Sequence, residues 1–301
     1  MTKSVQFGRR STADQVLAGV DLSGKRILVT GCNTGLGLET MNAFAANGAT
    51  VIGVARTIEA ATQACSQASP LCIAVACDLT RRESIAAAVR AIRDLPGPLD
   101  AIVANAGVAN LSSLDTLYGV EMHFLVNHLG HFALVNDLVN LLRDNGGRVV
   151  IVSSNASINQ APAEGIMFDN LDGHRFYEAS TFYGQSKLAN ALYAKELSRR
   201  LSGRGIAVNS VDPGAARTRL SKGFFAHLFA KPAARAAATQ AFVAASPQAA
   251  GITGQYWSDC RISEGSPLLH DAVLARRLWE VSEEIIARRP CRDERALRQA
   301  A

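Results

Sequence analysis

Two residues four positions apart, Tyr183 and Lys187, form the pair in this sequence best suited to proton transfer. They stand at the start of a predicted helix, where this separation places both side chains on one face. A phenol with a pKa of about 10 exchanges protons poorly at neutral pH, and a nearby ammonium stabilises the phenolate. The pair suits reversible carbonyl reduction, although the same spacing also arises as an ordinary surface pair.

A glycine-rich turn, Thr30-Gly-Cys-Asn-Thr-Gly-Leu-Gly37, follows a predicted strand and opens a predicted helix. Such glycines permit a tight turn and close approach of backbone to a pyrophosphate, whose charge the helix N-terminus favours. Glycines also simply end strands, but a position between strand and helix favours a dinucleotide. The candidate cofactor-binding residues here are Gly31, Asn33, Thr34, Gly35, Leu36 and Gly37.

Short runs rich in valine and isoleucine alternate with longer amphipathic stretches from Arg26 onward, as in a parallel sheet covered by helices on both faces. The predicted strands are 26–30, 50–56, 71–77, 101–105, 148–153, 206–211 and 255–258. The predicted helices are 36–46, 58–68, 81–94, 115–143, 183–201, 233–245 and 271–287. We therefore expect an α/β fold, a single doubly wound Rossmann domain with about seven strands and ligands at their carboxyl ends.

The end of the second predicted strand bears on the choice of cofactor. An NAD site places an acid there to hold the ribose 2′-hydroxyl, whereas Ala55 occupies that position here and Arg56 follows it. A guanidinium pairs well with the 2′-phosphate of NADP. The sequence favours NADP, with NAD possible; an exposed arginine at a strand end is the alternative interpretation.

The glycine spacing and the Tyr183/Lys187 pair, together with Asn105-Ala-Gly107 after the fourth strand, resemble the short-chain dehydrogenase/reductase family. The resemblance implies that Tyr183 donates the proton in reduction, while Lys187 binds the nicotinamide ribose and lowers the Tyr183 pKa. Ser154, after the fifth strand, would orient the carbonyl, with Ser153 as the alternative. Asn127, in Asn-His-Leu-Gly within a predicted helix, would anchor a water next to Lys187; a hydrogen bond between helices is the alternative.

The same resemblance implies further contacts with the cofactor. Asp78 and Leu79 would lie at the adenine, although a solvated turn acid explains Asp78 as well. The turn Asn105, Ala106 and Gly107 would line the cofactor, and Pro213, Gly214 and Thr218 would hold the nicotinamide carboxamide.

The interval between Ser154 and Tyr183 is long and contains Gly165-Ile-Met-Phe-Asp-Asn-Leu171, which resembles the retinol dehydrogenase and WW-domain oxidoreductase branch. This branch implies a small-molecule carbonyl or alcohol substrate of apolar character, such as a retinoid, steroid or lipid aldehyde. Segment 215–232, which is rich in phenylalanine, would form a lid over the substrate. Packing of an amphipathic helix explains the segment equally well.

Composition and residue spacing argue against nucleic-acid-binding, disulfide-rich, membrane-spanning and metal-binding proteins. The net charge of +5 comes partly from a basic tail at 288–301, which reads as a solvated terminus, so nucleic acid is not expected. The six cysteines lack a Cys-x-x-Cys pair and suit a reducing cytoplasm. No apolar run approaches the roughly 20 residues of a membrane span. His123, His128 and His131 raise a metal hypothesis, but no carboxylate partner is evident, so no metal is expected.

We expect an N-terminal extension at 1–21, one domain at 22–287, and a homo-oligomer of two or four subunits as the family resemblance implies. Two alternative functions stay open at this point. A nucleotide-binding scaffold or sensor without turnover would keep the fold and lose the chemistry. A nucleotide-sugar epimerase or dehydratase also uses Tyr-x-x-x-Lys, but it needs a longer C-terminal part.

Overall fold

The computed structural model describes residues 6–109, 111–214 and 231–288. Its strands, in chain order, are β1 (Arg26–Thr30), β2 (Thr50–Ala55), β3 (Ile73–Ala76), β4 (Ala101–Ala104), β5 (Thr116–Leu117), β6 (Val120–Glu121), β7 (Arg148–Val152), β8 (Ala207–Asp212), β9 (Tyr256–Ser258) and β10 (Arg261–Ser263). Eight of these form one sheet in the order β10-β9-β8-β7-β4-β1-β2-β3. The predicted Rossmann fold is confirmed, with one strand more than expected.

Helices cover both faces of this sheet. They are α1 (Ala13–Leu17), α2 (Gly35–Ala46), α3 (Ile58–Ala68), α4 (Arg82–Arg93), α5 (Gly130–Leu138), α6 (Ala156–Asn159), α7 (Ala179–Arg200), α8 (Ala233–Ala236), α9 (Ala238–Ala245) and α10 (Ala272–Arg288). Among the residues described, no helix is long and apolar enough to cross a membrane.

The central strands pair in parallel, β1 with β2 and β4, and β7 with β4 and β8. Their side chains are buried on both faces, which explains the nearly continuous apolar runs in the sequence. Because the strands are parallel, their carboxyl ends meet at one edge, and the strand order reverses between β1 and β4. A doubly wound sheet binds its ligand at this point.

The single helix predicted over 115–143 is wrong in its first part. β5 and β6 form a hairpin there, with Tyr118 and Gly119 at φ 56° and 71° in the turn. A π-helix follows over Phe124–Leu129, and α5 continues from it. Each strand of this hairpin has only two residues, too few to show the alternation of a strand. The helical spacing of the neighbouring apolar residues therefore predicted a helix here.

The extra strand, β10, pairs antiparallel with β9 at the edge of the sheet. The turn between them places Asp259 and Cys260 at φ 51° and 59°. Neither is the glycine that usually marks such a turn, so no residue pattern indicates a hairpin at this point. β10 is therefore the edge strand on this side of the sheet.

The C-terminal helix α10 packs along α7. The Trp279 ring lies 4.8 Å from that of Phe132 and 5.7 Å from that of Tyr193, measured between centroids. The Arg200 guanidinium stacks 3.9 Å from the Trp279 ring. These contacts bury the outer face of α7.

At the other end of the chain, α1 lies inside the segment predicted as an extension. Thr12 and Gln15 form a capping box at its start. Its Ala13, Val16 and Leu17 are buried in the core beside α2 and α9. Part of the predicted extension therefore contributes to the core.

Candidate active site

Tyr183 and Lys187 stand in the first turns of α7, on the face directed toward the end of β7. The Lys187 nitrogen lies 5.8 Å from the centre of the Tyr183 ring. Burial lowers the pKa of Lys187 to about 8, although Asp212 opposes this change. Burial raises the pKa of Tyr183, while a hydrogen bond with Ser154 lowers it. The site thus contains a phenol, a hydroxyl and an amine whose pKa is near neutrality.

The end of β7 is tied to α7 by three hydrogen bonds. Lys187 Nζ and Asn190 Nδ2 both donate to the Val152 carbonyl, at 3.1 and 3.0 Å. Ser153 Oγ donates to the Lys187 carbonyl at 2.7 Å. Because the Ser153 hydroxyl is used in this way and only 1% exposed, Ser154 is the better placed of the two serines to meet a substrate.

Asn127 joins three segments of the chain. Its Oδ1 accepts from the Val108 N–H at 2.7 Å, and its Nδ2 donates to the Val108 carbonyl and to Ser186 Oγ, both at 3.0 Å. A Cβ on Gly107 would lie 3.0 Å from Asn127 Oδ1 and 3.6 Å from Lys187 Nζ. The amide therefore fixes the turn after β4 against α7. The bond to Ser186 joins two helices, as in the alternative interpretation of Asn127, and the water anchor next to Lys187 stays a prediction.

The unfavourable Asn and Gly in the middle of a helix have a structural reason. Asn127 lies within the π-helix, and α5 begins at Gly130. A Cβ on Gly130 would lie 2.6 Å from the Leu79 Cβ and 2.7 Å from its carbonyl oxygen. Glycine is required at 130 because the helix passes against the chain just after β3. The Asn127 side chain, within the π-helix, faces Val108 and Ser186.

His131 connects Asn127 to the glycine-rich turn. Its Nδ1 lies 2.9 Å from the Asn127 carbonyl and its Nε2 lies 2.9 Å from Thr30 Oγ1. Thr30 Oγ1 already accepts from the N–H groups of Asn105 and Ala106, so it donates its proton to Nε2. His131 is therefore neutral, with its proton on Nδ1. Burial lowers its pKa to about 4, consistent with this form.

The turn between β1 and α2 fits a pyrophosphate. Gly31 and Gly35 have φ of 68° and 58°, which glycine adopts without strain. A Cβ on Gly37 would lie 2.1 Å from the Gly31 carbonyl oxygen, so no other residue fits. Thr34, the N-cap of α2, makes no side-chain capping bond, which leaves the first N–H groups of the helix to an anion.

The remaining candidate cofactor residues lie at the same edge of the sheet. Asp78 Oδ1 accepts from the Thr80 N–H and hydroxyl, at 2.9 and 2.7 Å, and Leu79 is buried next to it. Asn105 Nδ2 donates to the Thr30 carbonyl at 2.8 Å. Pro213 and Gly214 follow β8, and the Gly214 N–H donates to Asp212 Oδ1 at 2.9 Å. Thr218 and most of the expected lid lie outside the described residues.

Arg56 directly follows β2, and its side chain is exposed. Within the described part of the chain, no carboxylate forms an ion pair with it. Its guanidinium is thus available to an anion at the end of β2. The expected position of the 2′-phosphate lies at this strand end.

Sequence reasoning missed a buried, hydrogen-bonded pair of side chains beside Tyr183. His123 Nδ1 lies 2.7 Å from Glu121 Oε1, both side chains are fully buried, and the His123 ring lies 5.9 Å from that of Tyr183. The proximity of Glu121 and His123 in the sequence was the available signal. His128 instead contacts Ser282 Oγ at 2.8 Å. The described residues contain no cluster of three or more metal ligands.

Tyr256 was also missed. It lies on β9, 4% exposed, close to Ser153 and Ser157 and near enough to Tyr183 to interact electrostatically. Burial raises its pKa far above the usual range. A second phenol therefore borders the site from β9. The available signal was the segment Gly254-Gln-Tyr-Trp-Ser-Asp-Cys260, which resembles the retinol dehydrogenase and WW-domain oxidoreductase branch but assigns no function to Tyr256.

Comparison with known proteins agrees with this architecture. Residues 25–167 match the family model described as short chain dehydrogenase. Human retinol dehydrogenase 14 is 34% identical over 296 residues, covering 88% of this chain and 87% of that protein. The WW domain-containing oxidoreductase of Drosophila melanogaster is 35% identical over 300 residues, covering 94% of this chain and 73% of that protein.

Among solved structures, a short chain dehydrogenase from Burkholderia cenocepacia in complex with NADP superposes with a TM-score of 0.65. It is 27% identical, and the match covers 79% of this chain and 97% of that one. Sequence relatives of more than 30% identity cover most of this chain. The chain belongs to the short-chain dehydrogenase family of NAD(P)-dependent oxidoreductases.

Proposed function

We propose that this protein is an NADP-preferring carbonyl reductase for apolar aldehydes or ketones, with Tyr183 as the proton donor. The observation that supports this most directly is the arrangement of Tyr183, Ser154 and the buried Lys187 at the edge where the glycine-rich turn lies. When bound, the nicotinamide supplies the hydride in reduction and accepts it in oxidation. The protein supplies orientation and the proton.

The residues divide this work. Ser154 hydrogen-bonds the Tyr183 phenol and is placed to hold a substrate oxygen beside it. Tyr183 gives its proton to that oxygen, and the Lys187 ammonium lowers the cost of the phenolate left behind. Asn127 keeps the turn at Gly107 and α7 in register, so that Lys187 stays near this phenol. The site requires no metal ion for these steps.

The chemistry is tested by Tyr183→Phe. Loss of the hydroxyl removes the proton donor and should lower kcat by about 10²-fold to 10⁴-fold. NADPH affinity should change little, because the ring and Lys187 stay. A matched control is Tyr177→Phe, whose hydroxyl donates to the Leu111 carbonyl instead. Full activity of Tyr183→Phe would overturn the proposal, and unchanged binding with no turnover in the wild type would favour a scaffold.

The preference for NADP rests on Arg56. We expect NADPH to bind more tightly than NADH, and Arg56→Ala to lower NADPH affinity by about tenfold or more, as for a lost hydrogen bond to a charged group. Nicotinamide fluorescence measures both titrations. Arg90→Ala is the control. Arg90 is exposed in the last turn of α4, at the end of that helix farther from the carboxyl end of β3. Equal affinities for the two nucleotides would contradict the NADP preference.

An apolar substrate is supported by the names of the relatives, which include retinol dehydrogenase, and by two exposed apolar side chains close in sequence to the cavity at Tyr183. A cavity of about 360 Å³ opens beside Tyr183 and is lined by Gln160, Glu178, Ala179 and Ser180. Ile158 and Phe176, each two residues from this lining, are 43% and 51% exposed. We propose that a substrate tail leaving the cavity contacts these exposed apolar side chains.

The test is a series of linear aldehydes of increasing length. Each methylene buried against these side chains should raise kcat/KM by about fourfold, from about 0.8 kcal/mol per group. Ile158→Ser and Phe176→Ser should reduce that dependence on length, whereas Ile262→Ser, exposed on β10, should leave it unchanged. A kcat/KM that is independent of chain length would refute the apolar substrate.

Two further expectations remain proposals. A reducing cytoplasm suits the five free cysteines of the described residues. A dimer or tetramer is expected from the family resemblance, and light scattering on the purified protein tests it.

A further inference from the structure

Three thiols meet on one face of β2, outside the site described above. They are Cys32 in the glycine-rich turn, Cys65 on α3, and Cys72 just before β3, and all three are free. A Cβ on Gly53 would lie 2.6 Å from Cys65 Sγ and 3.1 Å from Cys32 Sγ. Because no other residue would leave this space, Gly53 allows the two sulfurs to converge.

The thiols form a row along the strand. Cys65 shares hydrogen bonds with both Cys32 and Cys72. Cys65 also contacts the backbone of Gly53, and Cys72 contacts that of Val51, two residues earlier on the same face. Cys72 is half-buried, whereas Cys65 and Cys32 are 4% and 0% exposed. The row therefore runs from near the surface to the cofactor turn.

The middle thiol has the greatest thiolate character. Hydrogen bonds from Cys32 and Cys72 lower the pKa of Cys65, and the same bonds raise the pKa of those two partners. A thiolate is the form that reacts with peroxides, and a neighbouring thiol then resolves the product. Burial alone raises the pKa of Cys65, but these two hydrogen bonds outweigh it. Cys77 and Cys260 are equally buried and have no thiol neighbour in the ranges that the structure describes, so burial raises the pKa of each.

We propose that Cys65 and Cys32 form a peroxide-oxidisable pair that controls the dinucleotide turn, with Cys72 as the hydrogen-bond donor that activates Cys65. The Cys65 thiolate attacks one oxygen of hydrogen peroxide, the O–O bond breaks, and the released hydroxide takes up a proton as water. The Cys32 sulfur then attacks the Cys65 sulfenic acid, the S–S bond forms, and a second water leaves. Two thiols lose two electrons, and one peroxide becomes two waters.

The disulfide acts on the cofactor through Cys32. The N–H groups of Gly31 and Cys32 donate to the Val54 carbonyl at 2.8 and 3.2 Å and so fix the turn on β2. An S–S bond of about 2 Å is much shorter than the contact of two thiols, so its formation pulls Cys32 toward α3. The turn then loses the geometry that accepts a pyrophosphate.

The first experiment measures the bond itself. The full chain is treated with one equivalent of hydrogen peroxide, and nonreducing peptide mass spectrometry should find the Cys32–Cys65 cross-link. Cys65→Ser should abolish it, Cys72→Ala should slow it, and Cys72→Ser, which keeps a donor, should restore the rate. Cys260→Ser is the control and should react as the wild type does. No cross-link in the wild type, or a cross-link that joins other cysteines, would overturn the proposal.

The second experiment measures the consequence and depends on the proposed nucleotide site, whereas the cross-link does not. NADPH affinity should fall about tenfold in the oxidised protein and return after reduction. By linkage, saturating NADP⁺ should shift the thiol–disulfide equilibrium in a glutathione buffer toward the thiols, by the factor by which oxidation lowers NADP⁺ affinity. An oxidised protein with unchanged NADPH affinity would refute control of the turn. Failure of the reduced protein to bind NADPH would instead contradict the proposed function.

Discussion

Replacing Lys187 with methionine should make the protein more stable while it removes activity. Lys187 is 5% exposed, and burial lowers its pKa from 10.5 to about 8. At pH 7 the amine is charged in both the folded and the unfolded chain, so the folded state bears the full cost of burying it. That cost is about 3 kcal/mol, at about 1.4 kcal/mol per factor of ten. Methionine fills similar space, and Asn190 still donates to the Val152 carbonyl.

The gain should depend on pH in a defined direction. Between pH 8 and 10.5 the unfolded chain binds the proton and the folded chain does not, so wild-type stability rises with pH across this window. The advantage of Lys187→Met should shrink from about 3 kcal/mol at pH 7 to about 1.5 kcal/mol at pH 9.5. Urea unfolding at both pH values measures it.

Lys195 provides the matched control for this prediction. It is exposed on the same helix, and Lys195→Met should change stability by less than about 0.5 kcal/mol. If Lys187→Met is no more stable than the wild type at pH 7, or if its advantage does not shrink with pH, the assigned cost of burying this amine is wrong.

Three further predictions concern the scaffold. Gly37→Ala should abolish NADPH binding and lower the free energy of unfolding in urea by about 2 kcal/mol or more, because its Cβ would lie 2.1 Å from the Gly31 carbonyl oxygen. The control Gly203→Ala, with open space around it, should have neither effect. Trp279→Ala should lower the free energy of unfolding by about 3–5 kcal/mol, because it removes the ring by which α10 packs on α5 and α7. The control Val273→Ala, at a 76% exposed position of α10, should be nearly neutral. Burial lowers the pKa of His131 from 6.5 to about 4, so the unfolded chain binds more protons below pH 6.5 and stability should fall by about 3 kcal/mol toward pH 4. That acid-dependent loss should be smaller in His131→Gln, and an equal loss in both proteins would show that His131 does not contribute.

The sequence predicted the elements whose pattern is local and regular. β1 and α3 begin and end where they were expected, and α7 begins only four residues before its predicted start. Buried parallel strands and amphipathic helices depend on a periodicity that spans the whole element, which makes them readable. The common location of the motif residues was predictable for the same reason: they follow parallel strands, whose carboxyl ends meet at one edge of the sheet whatever the loops contain.

The elements that were missed depend on contacts distant in sequence. The π-helix around Asn127 leads directly into Gly130, which packs against Leu79, 51 positions earlier. Glu121 and His123 are only two positions apart, but their spacing does not show that both are buried, with His123 next to Tyr183 far along the chain. Tyr256 reaches the site from β9, and no local motif could place it beside Ser153. Periodicity has no access to such contacts.

The packing of α10 on α7 has a consequence for synthesis on the ribosome. Residues up to 271 include every described side chain of the candidate site, yet α10, which covers the outer face of the helix bearing Tyr183 and Lys187, is made after them. Until Trp279 emerges, the aromatic rings of Phe132 and Tyr193 lack their partner. During this interval the nascent chain presents an apolar surface, and a chaperone that binds such surfaces has its best target here.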